Sequence, residues 1–176
     1  MLTLESHVAI RLASIADVPA IAAVHLASWR AAYSDITPIG FLDTVTIENR
    51  IVRWEGVFTG PASHTTETTI AVDGGGVLGI CSFGPRGTPE SDEVGEIYSL
   101  HVGPASWRKG LGRLLLDDAV TRLTLRGFES AVLWVLRDNG NARAFYEARG
   151  WALTGEERLD ERSGFAIPEV RYAIRW

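Results

Sequence analysis

The run Gly-Glu-Ile-Tyr-Ser-Leu-His-Val-Gly-Pro-Ala-Ser-Trp-Arg-Lys-Gly-Leu-Gly-Arg-Leu-Leu-Leu-Asp-Asp-Ala-Val, residues Gly95 to Val120, decides how the rest of the chain is read. Glu96 to Val102 is rich in β-branched, aromatic and apolar residues and stops at Gly103-Pro104, which predicts a strand. Leu111, Leu114, Leu115, Ala119 and Leu123 recur at helical spacing. Between strand and helix lies a basic, glycine-bearing turn, Trp107-Arg108-Lys109-Gly110-Leu111-Gly112-Arg113. A strand that runs through such a turn into a helix leaves the first helical N–H groups without partners. Those donors and the positive end of the helix dipole converge on one spot, which suits an anion. A Cβ at Gly110 or Gly112 would obstruct a ligand approaching the backbone. Arg108, Lys109 and Arg113 add positive charge around the rim. The turn reads as a pyrophosphate cradle.

Two common cradles are excluded. No G-K-[ST] follows a correctly spaced glycine, so this is not a P-loop. Neither G-x-G-x-x-G nor an acidic residue about 20 positions on is present, which removes the dinucleotide fingerprint. The hexamer Trp107-Arg108-Lys109-Gly110-Leu111-Gly112 instead resembles the cofactor motif [QR]-x-x-G-x-[GA] of the GNAT superfamily of N-acetyltransferases. It departs at the first position, where Trp107 replaces Gln or Arg. The resemblance implies that the loop holds the pyrophosphate of acetyl-CoA or coenzyme A.

At 176 residues the chain suits one domain, expected to span 1–176, with a sizeable core. Its 46% hydrophobic and 22% charged residues are those of an ordinary soluble globular protein. A net charge of −5, with Lys and Arg gathered only at the cradle, argues against a nucleic-acid surface. The single Cys81 rules out an internal disulfide and a cysteine-based zinc site; no metal is expected. The N-terminus has no basic region followed by an apolar one, and no run reaches membrane-spanning length. Cytoplasm is the expected compartment, without a membrane partner. A homodimer is left open.

In chain order, Val8 to Ala13 reads as a strand, Ser14 as a cap with Asp17 in the first turn, and Ala16 to Tyr33 as a helix. A second helix is expected from about Thr46 to Phe58. Thr65–Val72 and Val77–Phe83 form a hairpin about Asp73–Gly76, and Gly84–Asp92 is a loop expected to have a mobile tip. After the central stretch come a buried strand, Ala131–Leu136, and a short helix capped by Asn141 and ended at Gly150. A last hairpin pairs Trp151–Arg158 with Glu169–Ile174 across the loop Leu159–Pro168. The strand–turn–helix–strand unit must be a parallel crossover, whereas the hairpins are antiparallel. The fold class is therefore mixed α/β (α+β): a mostly antiparallel sheet of about seven strands flanked by four helices. The GNAT resemblance adds a splayed parallel pair at the cofactor site.

Two further segments carry the resemblance. Asn141-Ala142-Arg143-Ala144-Phe145-Tyr146-Glu147-Ala148-Arg149-Gly150-Trp151 looks like the family's N-x-x-A-x-x-[FLY]-Y-x-x-x-G-[FW]. Trp29-Arg30-Ala31-Ala32-Tyr33 is similar to a W-x-x-x-Y found in a bacterial branch. The likeness implies that backbone groups of Leu100, His101 and Val102 pair with the pantetheine arm, with the Val102 N–H facing the oxyanion. It implies that Arg108, Lys109, Gly110, Leu111, Gly112 and Arg113 hold the pyrophosphate, and that Asn141 and Tyr146 contact the arm and the sulfur. Tyr146 would protonate the departing thiolate.

Acyl transfer to an amine needs an unprotonated nucleophile, and a primary amine with pKa near ~10.4 must lose its proton locally. Glu96 falls where several family members carry a general-base glutamate, and partial desolvation would raise its pKa toward the working range. A solvated glutamate at a strand start is the plainer reading. Trp29, Tyr33, Tyr98 and Glu96 are candidates for the acceptor pocket, where aromatic faces could enclose a cationic amine; simple packing of the helix layer competes for Trp29. His25 and His101 read as structural side chains, and Cys81 as a small core hydrophobe. The expected activity is acetyl transfer from acetyl-CoA to a primary amine of a small molecule or peptide by direct attack. Two alternatives stand beside it. One is a coenzyme-A-binding sensor without turnover; the other is a protein N-terminal or lysine acetyltransferase.

Overall fold

The structure, a computed structural model, describes residues 8–87, 93–161 and 165–176. Among them the order is β1 (Ala9–Leu12), α1 (Val18–Tyr33), α2 (Ile47–Thr59), β2 (Glu67–Asp73), β3 (Gly76–Pro85), β4 (Val94–Val102), α3 (Leu111–Leu125), β5 (Ser130–Leu136), α4 (Gly140–Glu147), β6 (Ala152–Asp160) and β7 (Ile167–Arg175). The seven strands form one sheet in the order β1-β2-β3-β4-β5-β7-β6. Only β4 and β5 run parallel, joined through α3; every other pairing is antiparallel. This is the mixed, mostly antiparallel sheet with four helices that the sequence predicts. No helix of the described residues is long and apolar enough to cross a membrane.

Period-2 alternation assigns the two faces of the sheet. Cys81, Phe83, Ile97 and Leu133 point to α3, where they meet Leu115, Leu116, Ala119 and Leu123 in the main core. Ile70 and Ile80 point the other way, against Val18, Ile21, Ala22 and Trp54 of α1 and α2. A smaller cluster of Phe41, Val45, Leu136 and Ile167 lies with Trp29 and Tyr33 at the end of α1.

Several expectations are corrected. Leu114 is 48% exposed, and Leu116 takes its place on the buried face of α3. The cap of α4 is Asn139, whose side chain accepts from the Ala142 N–H at 3.1 Å; Asn141 sits inside the first turn. Two asparagines two residues apart offer the same signal, and the turn geometry selects the first. Asp17 bonds the Ser14 N–H at 2.8 Å, but one 3₁₀ turn, Ile15–Asp17, precedes α1. Strand β3 continues to Pro85, so the following loop is shorter than expected, and its tip lies outside the described residues.

Candidate active site

The parallel pairing of β4 with β5 ends at Ile97↔Leu133. Past it, β4 stays on β3 and β5 stays on β7, and a wedge opens between them. The parting coincides with a bulge. Ser82 pairs with Ser99 and Phe83 with Ile97, so Tyr98 is the extra residue on β4. The Gly103 N–H bonds the Leu78 carbonyl at 2.9 Å, which makes Gly79 and Val102 a non-hydrogen-bonded pair. In such a pair both main-chain groups point away from the partner strand, so those of Val102 and, two residues earlier, Leu100 face the wedge. The Trp107 indole N–H already donates to the Val102 carbonyl at 2.6 Å.

Beyond the wedge the chain turns into α3. Arg108 and Gly110 take left-handed backbone, φ 61° and 81°, and at Gly110 only glycine does so without strain. The first bond of the helix ladder runs from the Leu114 N–H to the Gly110 carbonyl at 3.1 Å, leaving the N–H groups of Leu111, Gly112 and Arg113 ahead of it. A Cβ at Gly112 would make ordinary contacts, with the Phe145 ring at 3.4 Å and Val102 Cγ2 at 3.8 Å, so a side chain there does not clash with the fold. An open cleft of about 830 Å³ follows, walled by Arg108, Gly110, Leu111, Gly112, Arg113 and Asn141. Its far wall includes Arg149, whose guanidinium lies 3.8 Å over the Phe145 ring. Lys109 and His101 are absent from that wall.

A second cavity, of about 200 Å³, opens on the α1–α2 side. Trp29, Tyr33 and Tyr98, three of the four acceptor candidates, line it together with His101. Leu100, Val102, Trp107, Asn139, Ala142 and Tyr146 line both spaces, so the two meet at the wedge. Tyr146 is 8% exposed, and burial pushes its phenol far above the ordinary value, which keeps the proton on oxygen.

Glu96, the fourth acceptor candidate, is on neither wall. Burial raises its carboxyl above the usual range, against the lowering effect of Arg158 and Arg86. Tyr98 stays on the Glu96 face in spite of the bulge, because its hydroxyl lies over Gly84, the pairing partner of Glu96. That hydroxyl donates to the Pro85 carbonyl, and burial pushes its pKa up to about 12. Tyr98 is therefore a fixed donor rather than a base. Tyr33 is also pushed up to about 12 by burial, with Asn139 acting in the lowering direction.

Sequence reasoning missed a polar cluster beneath α1. The Trp54 indole donates to His25 Nδ1 at 3.0 Å, Ser28 Oγ lies 3.1 Å from His101 Nδ1, and the two imidazoles stack with centroids 4.1 Å apart. Burial, then Arg50 and Arg53, lowers His101 to about 3, so the ring is neutral. The bulge is the reason it was missed: it turns Ser99 and His101 onto the Glu96 face, opposite to strict alternation. Also missed were Arg50, Arg53, Asp160 and Glu169 on the cavity wall. Glu169 is 7% exposed and is held by Arg158 at 2.7 Å. Cys81, wholly buried and with its thiol pushed up by burial, is no nucleophile.

Comparison with known proteins follows the same lines. The sequence model of the acetyltransferase (GNAT) family matches residues 26–151. The chain is 30% identical over 168 residues, 93% of its length and 90% of the relative's, to YuaI of Bacillus subtilis, an N-acetyltransferase itself uncharacterized. Among solved structures it resembles the PaiA N-acetyltransferase of Thermoplasma acidophilum in complex with coenzyme A, with TM-score 0.69, 19% identity, and 97% and 99% of the two chains covered. It also resembles YncA of Salmonella typhimurium, solved with its cofactor acetyl-CoA, with TM-score 0.71, 22% identity, and 97% and 94% covered. At these identities the two structures establish the shared fold.

Proposed function

The chain belongs to the acetyltransferase (GNAT) family, and from that premise we propose that this N-acetyltransferase moves the acetyl group of acetyl-CoA onto the primary amine of a small molecule held in the α1–α2 cavity. The observation that carries the reading is the meeting of the two spaces at Leu100, Val102 and Tyr146. A donor–acceptor reaction needs its two substrates to touch at one point.

The residues fit the coenzyme. The free N–H groups at the start of α3, with Arg108 and Arg113 beside them, suit a pyrophosphate. The wedge-facing edge of β4 at Leu100 and Val102, with the Val102 carbonyl already taken by the Trp107 indole, suits an extended polyamide arm. When bound, acetyl-CoA supplies an activated thioester carbonyl. The amine nitrogen would bond to that carbon as the C–S bond breaks, and the Tyr146 hydroxyl would pass its proton to the departing sulfur while the proton shed by the newly acylated nitrogen restores the phenol. The Val102 N–H faces the wedge and serves the carbonyl oxygen as negative charge develops there. Glu96 stands off the wall, so it draws the amine proton through water. No side chain forms an acyl-enzyme. A buried Cys81 also suits a reducing compartment, and we assign the enzyme to the cytoplasm.

A cavity of about 200 Å³ beneath α1 and α2 favours a small acceptor over a folded protein. The test is thiol release from acetyl-CoA across a panel of small amines and peptides, with the N-acetyl product identified by mass. Release that tracks product supports transfer, whereas coenzyme binding without product for any amine would leave the sensor reading.

A further inference from the structure

The hydrogen bonds beneath α1 fix which nitrogen of His101 carries its proton. Ser28 Oγ donates its one proton to the His25 carbonyl at 3.0 Å and lies 3.1 Å from His101 Nδ1. Toward that nitrogen the hydroxyl can only accept, so both contacts hold together only when His101 is protonated at Nδ1. Burial, then Arg50 and Arg53, keeps the ring neutral, which leaves a lone pair on Nε2. His25 stacks on the ring with centroids 4.1 Å apart, and its own Nδ1 accepts from the Trp54 indole at 3.0 Å. Contacts from α1 and α2 thus hold the plane and the tautomer of His101.

On β4 the side chains of Leu100 and Val102 pack into the core on the α3 side, and His101 between them turns to α1. It is half-buried, it lines the acceptor cavity, and its Nε2 has no hydrogen-bond partner among the described residues. An amine attacks with its lone pair, so its N–H bonds must be held away from the thioester carbon. The polar side chains that line both spaces do not offer this. Trp107 and Tyr146 present protons, and the Asn139 oxygen is taken by the Ala142 N–H. On the acetyl-transfer reading given above, we propose that His101 Nε2 accepts an N–H of the acceptor amine and aims the nitrogen lone pair at the thioester carbon, with Ser28 as the positioning residue that fixes the tautomer. No proton passes to the ring, so the balance of the reaction is unchanged. An imidazole this weakly basic holds the amine without capturing its proton.

Two measurements on the full chain test the proposal. Nitrogen NMR of imidazole-labelled wild type near neutral pH, with the signal assigned by its loss in His101→Asn, should show His101 protonated at Nδ1 and bare at Nε2. Kinetics with the small primary amine that wild type turns over fastest form the second arm. His101→Asn keeps a donor for Ser28 but has nothing at the Nε2 position, and should lose at least about 10-fold in kcat/KM for the amine. KM for acetyl-CoA should change by about threefold or less. His101→Gln puts an oxygen near the lost nitrogen and should recover part of the loss. Ser28→Ala should add an Nε2-protonated signal and raise KM for the amine by about threefold or more. A wild-type ring protonated at Nε2 overturns the proposal whether or not the variants fold. A folded His101→Asn with wild-type kcat/KM for the amine, or equal losses in the Asn and Gln variants, also overturns it, and each of these results leaves acetyl transfer standing. Failure of every amine in a protein that binds coenzyme A overturns the transfer reading itself, and the proposal falls with it.

Discussion

The Trp107 indole N–H donates to the main-chain carbonyl of Val102 at 2.6 Å, closing the basic turn back onto the end of β4. Trp107 stands where the family motif has Gln or Arg, and this bond gives the substitution a structural role. The indole pins the turn to the strand edge that faces the wedge, and its ring lies on the walls of both cavities.

Trp107 is the single tryptophan on the wall of the coenzyme cleft. Coenzyme A binding should therefore change the intrinsic fluorescence, and Trp107→Phe should remove most of that change while leaving the fold intact. A full signal in Trp107→Phe would move the binding event away from this cleft.

The Glu96 carboxyl is raised by burial, so the folded protein holds this proton more tightly than the unfolded chain. Above the raised value the fold carries a costly buried charge, and wild-type stability falls as pH climbs from the ordinary carboxylate range toward neutrality. Glu96→Gln should melt higher than wild type at about pH 8, with the advantage gone at about pH 4. Its kcat/KM should fall most at neutral pH and recover at high pH, where solvent has deprotonated part of the amine. Wild-type activity at every pH would assign Glu96 to structure alone.

His101 supplies the opposite sign. Its imidazole titrates near 3 when folded, because of burial and then Arg50 and Arg53, against an ordinary value of 6.5. The unfolded chain binds the proton first, so this group costs stability as pH falls from about 6.5 to about 3. His101→Asn should flatten the fall of Tm over that window relative to wild type. An unchanged slope would mean that acid lability arises elsewhere.

Much of the fold was legible in the sequence because apolar strand runs bounded by turn residues, and helical spacing in α1–α3, mark the elements even where a bulge breaks the alternation within β4. The cradle was legible for a similar reason: its glycines, cations and flanking elements lie within a few residues of one another. The acceptor cavity was not. Arg50 and Arg53 come from α2 and Asp160 and Glu169 from the distant β6–β7 hairpin, and each alone resembles a solvated charge. His101 was hidden by one bulge residue, Tyr98, which reverses the facing of everything after it. Asn141 lost its capping role to Asn139 because turn geometry, not residue type, chooses between two equivalent caps.

Tyr146 lies where the two cavities meet, and its buried phenol keeps its proton. Tyr146→Phe should lower kcat by roughly 10-fold to 1,000-fold when chemistry limits the rate, with coenzyme affinity nearly unchanged. A mutant with wild-type kcat under those conditions would leave Tyr146 a packing residue.

The central claim is that the turn at Gly110–Arg113 holds the coenzyme's pyrophosphate, and calorimetric titration of Gly112→Glu with coenzyme A tests it most directly. The added side chain starts in ordinary contact with Phe145 and Val102, without a clash, and brings a carboxylate to the helix N-terminus, so the fold should survive while the anion site is lost. Binding by wild type and a Kd weakened at least about 100-fold in a folded Gly112→Glu is the predicted result. Undiminished binding in the folded mutant would contradict it.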